Sequence, residues 1–128
     1  MIAKLSVTTR CNAQCQTCPV WSIPGGDMPL KVFKVVWDKL MLHPAIGKIL
    51  INSTGDMYNH PRRKEIWAYV EERILKWVSM TTNAAKMDYV PKIPEIIISF
   101  NGSNKRGYER TTGLPFHETV QKIKAHYP

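Results

Sequence analysis

Several kinds of segment are scarce or missing in this 128-residue sequence. No apolar run approaches the length that a bilayer-spanning helix needs, so we expect no membrane segment. The N-terminus lacks the charged stretch followed by a long apolar stretch that marks a secretory signal, which favours a cytoplasmic, reducing location. Acidic residues are few, with 10 Asp and Glu against 18 Lys and Arg, which gives a net charge of +8. A basic surface can attract nucleic acid or other anions, but no nucleic-acid-binding motif accompanies these scattered charges.

Cysteine is also scarce, and its distribution is uneven. The three cysteines, Cys11, Cys15 and Cys18, lie within eight residues with the spacing C-x3-C-x2-C. A disulfide would leave one of them unpaired, and a reducing compartment disfavours it. A closed structural zinc site needs four protein ligands, and no histidine lies nearby to supply the fourth. Three thiolates with an open fourth position suit a 4Fe–4S cluster best, with zinc or purely structural cysteines as the alternatives.

The rest of the sequence alternates between predicted strands and helices. The composition, 44% hydrophobic and 22% charged, is that of an ordinary globular protein, so we expect one domain over residues 1–128. Apolar patterns predict strands at about residues 2–8, 48–52, 77–82 and 95–100, and helices at about 29–43, 62–75 and 115–126. A short helical or irregular piece is predicted before residue 91, and a polar loop at 103–113. This alternation produces a parallel α/β sheet, and the continuously apolar second strand predicts cover on both of its faces.

Polar residues follow all four predicted strands. The first strand leads to the cysteines, and the others are followed by Ser53, Thr54, Gly55 and Asp56, by Thr82 and Asn83, and by Ser99 and Asn101. In parallel α/β proteins, ligands bind at the carboxyl ends of the strands. Polar turns are common and would explain any single strand end, but they do not explain the cysteines. We therefore expect one site along this edge of the sheet.

A C-x3-C-x2-C loop directly after a first strand resembles the signature of the radical S-adenosylmethionine (radical SAM) superfamily, and Asn12 also matches many members. The resemblance implies that Cys11, Cys15 and Cys18 hold a 4Fe–4S cluster whose open iron binds the methionyl part of SAM. The reduced cluster would cleave SAM to methionine and a 5′-deoxyadenosyl radical, which would abstract hydrogen from an unknown substrate. An electron donor such as flavodoxin or ferredoxin is implied as well.

Weaker motifs extend the resemblance along the chain. The segment 53–56 stands where the superfamily has a Gly-Gly-Glu-like motif that holds the SAM ammonium group, with Asp56 in place of Glu. Residues 82–83 are similar to the polar pair that ends the third strand of the superfamily, and residues 98–102 to its Ser-x-Asp-Gly motif, with Asn101 in place of Asp. The SAM-binding residues implied by the resemblance are Ser53, Thr54, Gly55, Asp56, Asn83, Ser99 and Asn101. It implies no catalytic side chain.

Two departures from the superfamily pattern are visible. Thr17 stands where an aromatic residue usually packs near the adenine. The superfamily core is a partial TIM-like barrel of about six strand–helix units, whereas this chain supplies about four. We therefore expect the N-terminal part of that core, as a fragment, as a minimal variant, or as a protein that needs a partner to complete its sheet.

Two other functions stay open at this point. The chain could be a non-catalytic zinc or iron–sulfur module whose basic surface binds nucleic acid, or a remnant that binds a cluster without cleaving SAM. Iron with acid-labile sulfide would favour the radical SAM interpretation, and zinc would favour the module. The sequence does not indicate the substrate.

Overall fold

Four parallel strands form the centre of the structure, a computed structural model that describes residues 1–52 and 54–127. The strands, hydrogen-bonded in sequence order, are β1 (Ile2–Leu5), β2 (Lys48–Ile51), β3 (Trp77–Thr82) and β4 (Glu95–Ile98). Each neighbouring pair is parallel. The predicted fold class, a parallel α/β sheet of about four units consistent with part of a TIM-like barrel, is confirmed.

Among the residues that the structure describes, four α-helices connect and follow these strands. They are α1 (Leu30–Leu42), α2 (Arg63–Glu71), α3 (Lys105–Thr112) and α4 (Phe116–His126), with short 3₁₀ helices at Pro19–Ser22 and Met57–Asn59. Three of the helices match predicted ones, although α2 ends earlier than expected. No helix in residues 1–52 and 54–127 has the length and apolarity needed to cross a bilayer.

Helix α3 occupies the segment predicted to be a polar loop, so that prediction is wrong. Asn104 caps the helix by accepting a hydrogen bond from the Gly107 N–H at 2.8 Å. Gly113 ends it in a left-handed conformation with φ of 68°. Before residue 91, where a short helical or irregular piece was predicted, the chain is irregular, since residues 83–94 form neither helix nor strand.

The larger apolar core lies between the sheet and helices α1 and α2. Side chains at helical spacing on α1 and on α2 meet alternate residues of the strands. We call this cluster the main core, and its members include Leu5, Phe33, Trp37, Met41, Ile49, Ile51, Ile66, Trp67, Val70, Val78 and Met80.

Burial alternates along β2, which corrects the expectation that both of its faces are covered. Ile49 and Ile51 are fully buried in the main core, whereas Lys48 and Leu50 are only half-buried. On the same face as Leu50, Trp77 is 51% exposed and Ile97 is 44% exposed. In this chain, that second face of the sheet therefore remains partly open.

A smaller apolar cluster lies beyond the carboxyl ends of the strands. Its fully buried members are Ala13, Tyr108 and Leu114. The rings of Phe100 and Tyr108 stack with their centroids 4.4 Å apart. We call this cluster the loop core, and its partly buried members are Cys11, Cys15, Ala85, Phe100 and Phe116.

Candidate functional site

The three cysteines lie on the loop that follows β1, at the carboxyl edge of the sheet. Cys11 and Cys15 are half-buried, Cys18 is exposed, and all three are free thiols. They line one narrow cavity of about 20 Å³ together with Ala13, Val20 and Trp21. In residues 1–52 and 54–127, no three or more Cys, His, Asp or Glu side chains are already gathered as metal ligands. The thiols thus share a cavity without being arranged in a coordination geometry.

The electrostatic surroundings favour the neutral thiol at Cys11 and at Cys15. Burial raises the pKa of Cys11, and the nearby Asp56 carboxylate and the other two thiols raise it further. Burial, together with Cys18, raises the pKa of Cys15. A metal ion or cluster that binds here must therefore displace protons, because only thiolates are good ligands.

Backbone hydrogen bonds fasten the cysteine loop to the end of α3. The Gln14 N–H donates to the Thr112 carbonyl at 2.7 Å, and the Gln16 N–H donates to the Thr111 carbonyl at 3.1 Å. The last carbonyls of a helix have no partner within the helix, so the loop supplies them with donors. Ala13 sits between these bonds, within the loop core. On the solvent side, the Trp21 indole N–H donates to the Cys15 carbonyl at 3.1 Å.

The segment after β2 packs directly against the residues that precede the first cysteine. Gly55 has φ of +73°, and a Cβ atom added there would lie 2.5 Å from the Thr8 carbonyl oxygen. The Asp56 N–H donates to the Arg10 carbonyl at 2.8 Å. A side chain at position 55 would push the cysteine loop away, so glycine is required by close packing as well as by its φ. Ser53, also predicted to bind SAM, lies outside the described residues.

The Asp56 carboxylate is committed to internal hydrogen bonds. Its Oδ1 accepts from the Tyr58 N–H at 3.0 Å, and its Oδ2 accepts from the Thr82 hydroxyl and the Asn83 N–H, each at 2.8 Å. The residue is only 2% exposed. Burial raises its pKa against the opposing effect of these three donors. Asp56 therefore joins the ends of β2 and β3, and its oxygens do not face solvent.

Asn83 connects the end of β3 to the cysteine loop. Its Nδ2 lies 3.2 Å from Oδ1 of Asn12 and 3.8 Å from Sγ of Cys11. Asn59, which follows β2, donates to the same Asn12 oxygen at 2.9 Å. Three strand ends thus meet at one amide oxygen beside the first cysteine, an arrangement that the sequence had indicated only as a shared edge.

The remaining predicted residues lie on the other side of β3, after β4. The Ser99 N–H donates to the Thr82 carbonyl at 2.8 Å, which places Ser99 next to the end of β3. Ser99 is half-buried, and Asn101 is exposed on the connection to α3. The structure therefore links Cys11, Asp56 and Asn83 through hydrogen bonds, and Ser99 joins this network only through the backbone of Thr82.

A polar cleft of about 390 Å³ opens beside Cys11, within the size range of small-molecule sites. Lys86 and Arg10 bring positive charge to it, but Arg10 is paired with Asp27 at 2.8 Å. The lining residues are Thr9, Arg10, Cys11, Val20, Trp21, Ile23, Gly25, Asn59 and Lys86. None of the described residues predicted to bind SAM is among them. Sequence reasoning had not singled out Arg10 or Lys86 as site residues, because no motif marks them.

Comparison with known proteins finds structures of similar fold but no matching sequence. No protein-family model matches the chain, and no curated protein matches it. Its fold is shared with part of SuiB. SuiB of Streptococcus suis, solved bound to S-adenosylmethionine, superposes with a TM-score of 0.76 and 14% identity over 97% of this chain. The structure of SuiB bound to the precursor peptide SuiA gives a TM-score of 0.77, also with 14% identity over 97% of this chain.

The likeness has a defined extent. This chain spans 30% of the length of the SuiB chain solved with S-adenosylmethionine, and 29% of the one solved with the peptide. At this level of identity, the likeness establishes a common fold. Roles for individual residues must come from the site described above.

Proposed function

We propose that this chain is part of a radical SAM enzyme, in which Cys11, Cys15 and Cys18 hold a 4Fe–4S cluster and the neighbouring strand ends bind SAM. The main support is the cysteine loop itself, with three free thiols at the carboxyl edge of a sheet. Independent support comes from the fold, which is shared with a chain solved with S-adenosylmethionine. When bound, such a cluster supplies the electron for reductive cleavage of SAM, and the protein binds and orients the reactants.

The donor set fits an iron–sulfur cluster. Thiolates are the usual ligands of such clusters, and three of them leave one iron available for another ligand. Cys18 is exposed, so the small cavity is accessible from solvent. The raised pKa values of Cys11 and Cys15 mean that assembly releases protons, so we expect it to be favoured by mildly alkaline conditions.

The predicted SAM-binding residues differ in how accessible they are to a ligand. Thr54, Gly55 and Ser99 are half-buried and Asn101 is exposed, so these residues can reach a ligand. Asp56 is buried with its oxygens already paired, and we assign it to holding the segment after β2 in place. Ser53 and Asn83 complete the proposed set, with Ser53 placed from sequence alone.

The partners of this function are proposals too. Hydrogen abstraction requires a substrate, and we propose a peptide as the first class to test, because SuiB was solved with a precursor peptide. We also propose an external reductant such as flavodoxin or ferredoxin, and further chain or a partner that completes the sheet. The partly open sheet face with Trp77 and Ile97 supports the last of these.

The deciding experiment is oxygen-free reconstitution followed by measurement of iron, zinc and acid-labile sulfide. We expect iron and sulfide in the wild type and their loss when all three cysteines are replaced by alanine. Thr17→Ala is the matched control, because Thr17 is an exposed residue between Cys15 and Cys18. SAM affinity and 5′-deoxyadenosine formation are then measured on the loaded protein.

The outcomes separate the candidate functions. Iron and sulfide retained by the triple variant would show that the cysteines are not the ligands. Zinc without sulfide would support the non-catalytic module instead. A protein that holds the cluster but binds no SAM would support the other alternative, a remnant that does not cleave SAM.

A further inference from the structure

The side chain of Asn83 has a fixed orientation at the end of β3. Its Oδ1 accepts a hydrogen bond from the Ala85 N–H at 3.0 Å. Because a backbone N–H can only donate, this contact requires the oxygen of the amide to face Ala85. The Nδ2 group must then point the other way, towards Asn12 and Cys11.

The backbone that carries Asn83 is held equally firmly. Its N–H donates to the buried Asp56 carboxylate, and Thr82 beside it donates to the same oxygen. The next residue, Ala84, is fully buried with φ of 62°, a left-handed conformation that a non-glycine residue keeps only when its surroundings impose it. The position of Nδ2 relative to the Cys11 sulfur is therefore set by the ends of two strands.

Asn83 and Asn59 share one acceptor but differ in what else they reach. Both donate to Oδ1 of Asn12, at 3.2 Å and 2.9 Å respectively. Asn83 also reaches the Cys11 sulfur at 3.8 Å, whereas the other acceptor of the Asn59 amide is the Asp56 carbonyl at 3.4 Å. The two residues thus form a natural pair in which only one has contact with sulfur.

We propose that Asn83 is a positioning residue for the metal centre: its amide N–H donates to the sulfur of Cys11 and thereby raises the reduction potential of the bound cluster. This inference rests on the proposed function. A donor to a ligating sulfur stabilises the reduced, more negative state of a cluster more than the oxidised state. Asn83 then acts on the metal centre through Cys11, a role distinct from the SAM contact implied by the resemblance.

The test compares Asn83→Leu with Asn59→Leu in the reconstituted, oxygen-free protein. Leucine is similar in size to asparagine and is neutral, so neither change adds a charge near the cluster. Each change removes one of the two hydrogen-bond donors to Oδ1 of Asn12. We expect Asn83→Leu to shift the reduction potential, followed by electron paramagnetic resonance during a redox titration, to a more negative value. We expect Asn59→Leu to keep the wild-type potential.

A second substitution at the same position tests the inference if Asn83→Leu does not fold. Asn83→Ser keeps an oxygen that can accept from the Ala85 N–H, but its side chain is too short to reach the sulfur. It should show the same negative shift. Equal potentials in the wild type and the folded Asn83 variants, or an equal shift in Asn59→Leu, would overturn the inference while the proposed function stands. A wild type that takes up no iron and sulfide would overturn both.

Discussion

The main core and the loop core are built on different principles. The main core packs two amphipathic helices onto alternate residues of a parallel sheet, with buried side chains such as Phe33, Trp37 and Ile49. The loop core has only Ala13, Tyr108 and Leu114 fully buried, drawn from a loop, a helix and a connection. The first maintains the fold, and the second holds the cysteines against it. Order in the cysteine loop can therefore be lost while the sheet survives.

Trp37→Ala tests the main core and should have the largest effect. Trp37 is fully buried on α1 and stacks with Phe33. Replacing a buried aromatic residue by alanine costs about 3–5 kcal/mol. We expect denaturant unfolding to reveal a loss in that range, together with loss of metal binding because the whole sheet is weakened. Val35→Ala on the same helix is the control, since Val35 is 51% exposed and should change stability little. A small effect of Trp37→Ala would mean that the main core does not determine stability.

Tyr108→Ala applies the same change to the loop core. We expect a smaller loss, at the lower end of about 3–5 kcal/mol, because the loop above it can collapse into the space. Iron uptake should fall by a larger fraction than the free energy of unfolding does, since Tyr108 packs against the cysteine loop.

The control for this prediction is Tyr108→Phe. The Tyr108 hydroxyl is buried near Thr112 and Thr119 without a hydrogen bond of good geometry, so its removal should be close to neutral. If Tyr108→Ala loses stability and iron uptake to the same fraction, the claim that the cysteine loop can lose its order while the sheet survives would be contradicted.

Gly55→Ala tests the contact that joins the segment after β2 to the cysteine loop. The left-handed backbone alone should cost about 1–2 kcal/mol, before the clash with the Thr8 carbonyl is counted. We expect reduced iron uptake as well, because the clash displaces the residues before Cys11. Gly47→Ala is the matched control, since an added Cβ at Gly47 meets no atom within 4 Å. Equal stability and equal iron uptake in Gly55→Ala and Gly47→Ala would show that the close contact at Gly55 is unimportant.

Asp56→Asn should have the smallest effect, and that effect should depend on pH. An amide cannot accept all three hydrogen bonds, so one buried donor is left unpaired, and we expect a cost near the lower end of about 1–3 kcal/mol. Because burial raises the pKa of Asp56, the folded protein holds its proton more tightly than the unfolded chain does. Wild-type stability due to this group is then full below the ordinary carboxyl pKa and declines as pH rises through the raised value.

The asparagine variant lacks this titration. The stability difference between wild type and Asp56→Asn should therefore narrow from acidic to neutral pH, as measured by urea unfolding of the reduced protein. Other carboxyl groups titrate in both proteins and cancel in the difference. A difference that widens towards neutral pH would indicate that ionisation of Asp56 stabilises the fold instead.

The sequence predicted the main core far better than the loop core, and the physical reason is periodicity. Strand β3 has the bounds that the sequence predicts. Helical spacing predicts Phe33, Val36, Trp37, Leu40 and Met41 on the buried face of α1, and of these Val36 and Leu40 are only partly buried. These elements repeat apolar residues at regular spacing. Helix α3 has almost no apolar stripe, with Tyr108 as its only buried apolar side chain, so its capping residues Asn104 and Gly113 were the only signals.

The positions of the candidate site residues could be predicted from the sequence, but their contacts could not. The cysteines and the strand ends were expected at one edge, and the fold places them there. The sequence could not reveal that Asp56 turns inward, because its hydrogen-bond donors come from two separate segments. The direction of the Asn83 amide likewise depends on the Ala85 N–H and on Cys11, residues that only the folded chain brings together.

The two hydrogen bonds between the cysteine loop and the end of α3 have a consequence for how the protein is made. Gln14 and Gln16 are synthesised before their acceptors Thr111 and Thr112, which follow roughly a hundred residues later. At about 5–20 residues per second, the three thiols wait roughly 5–20 s on an unfinished nascent chain. Iron and sulfide delivered before α3 has been synthesised would encounter a cysteine loop that lacks these two hydrogen bonds. We therefore expect assembly of the proposed cluster to follow translation of α3.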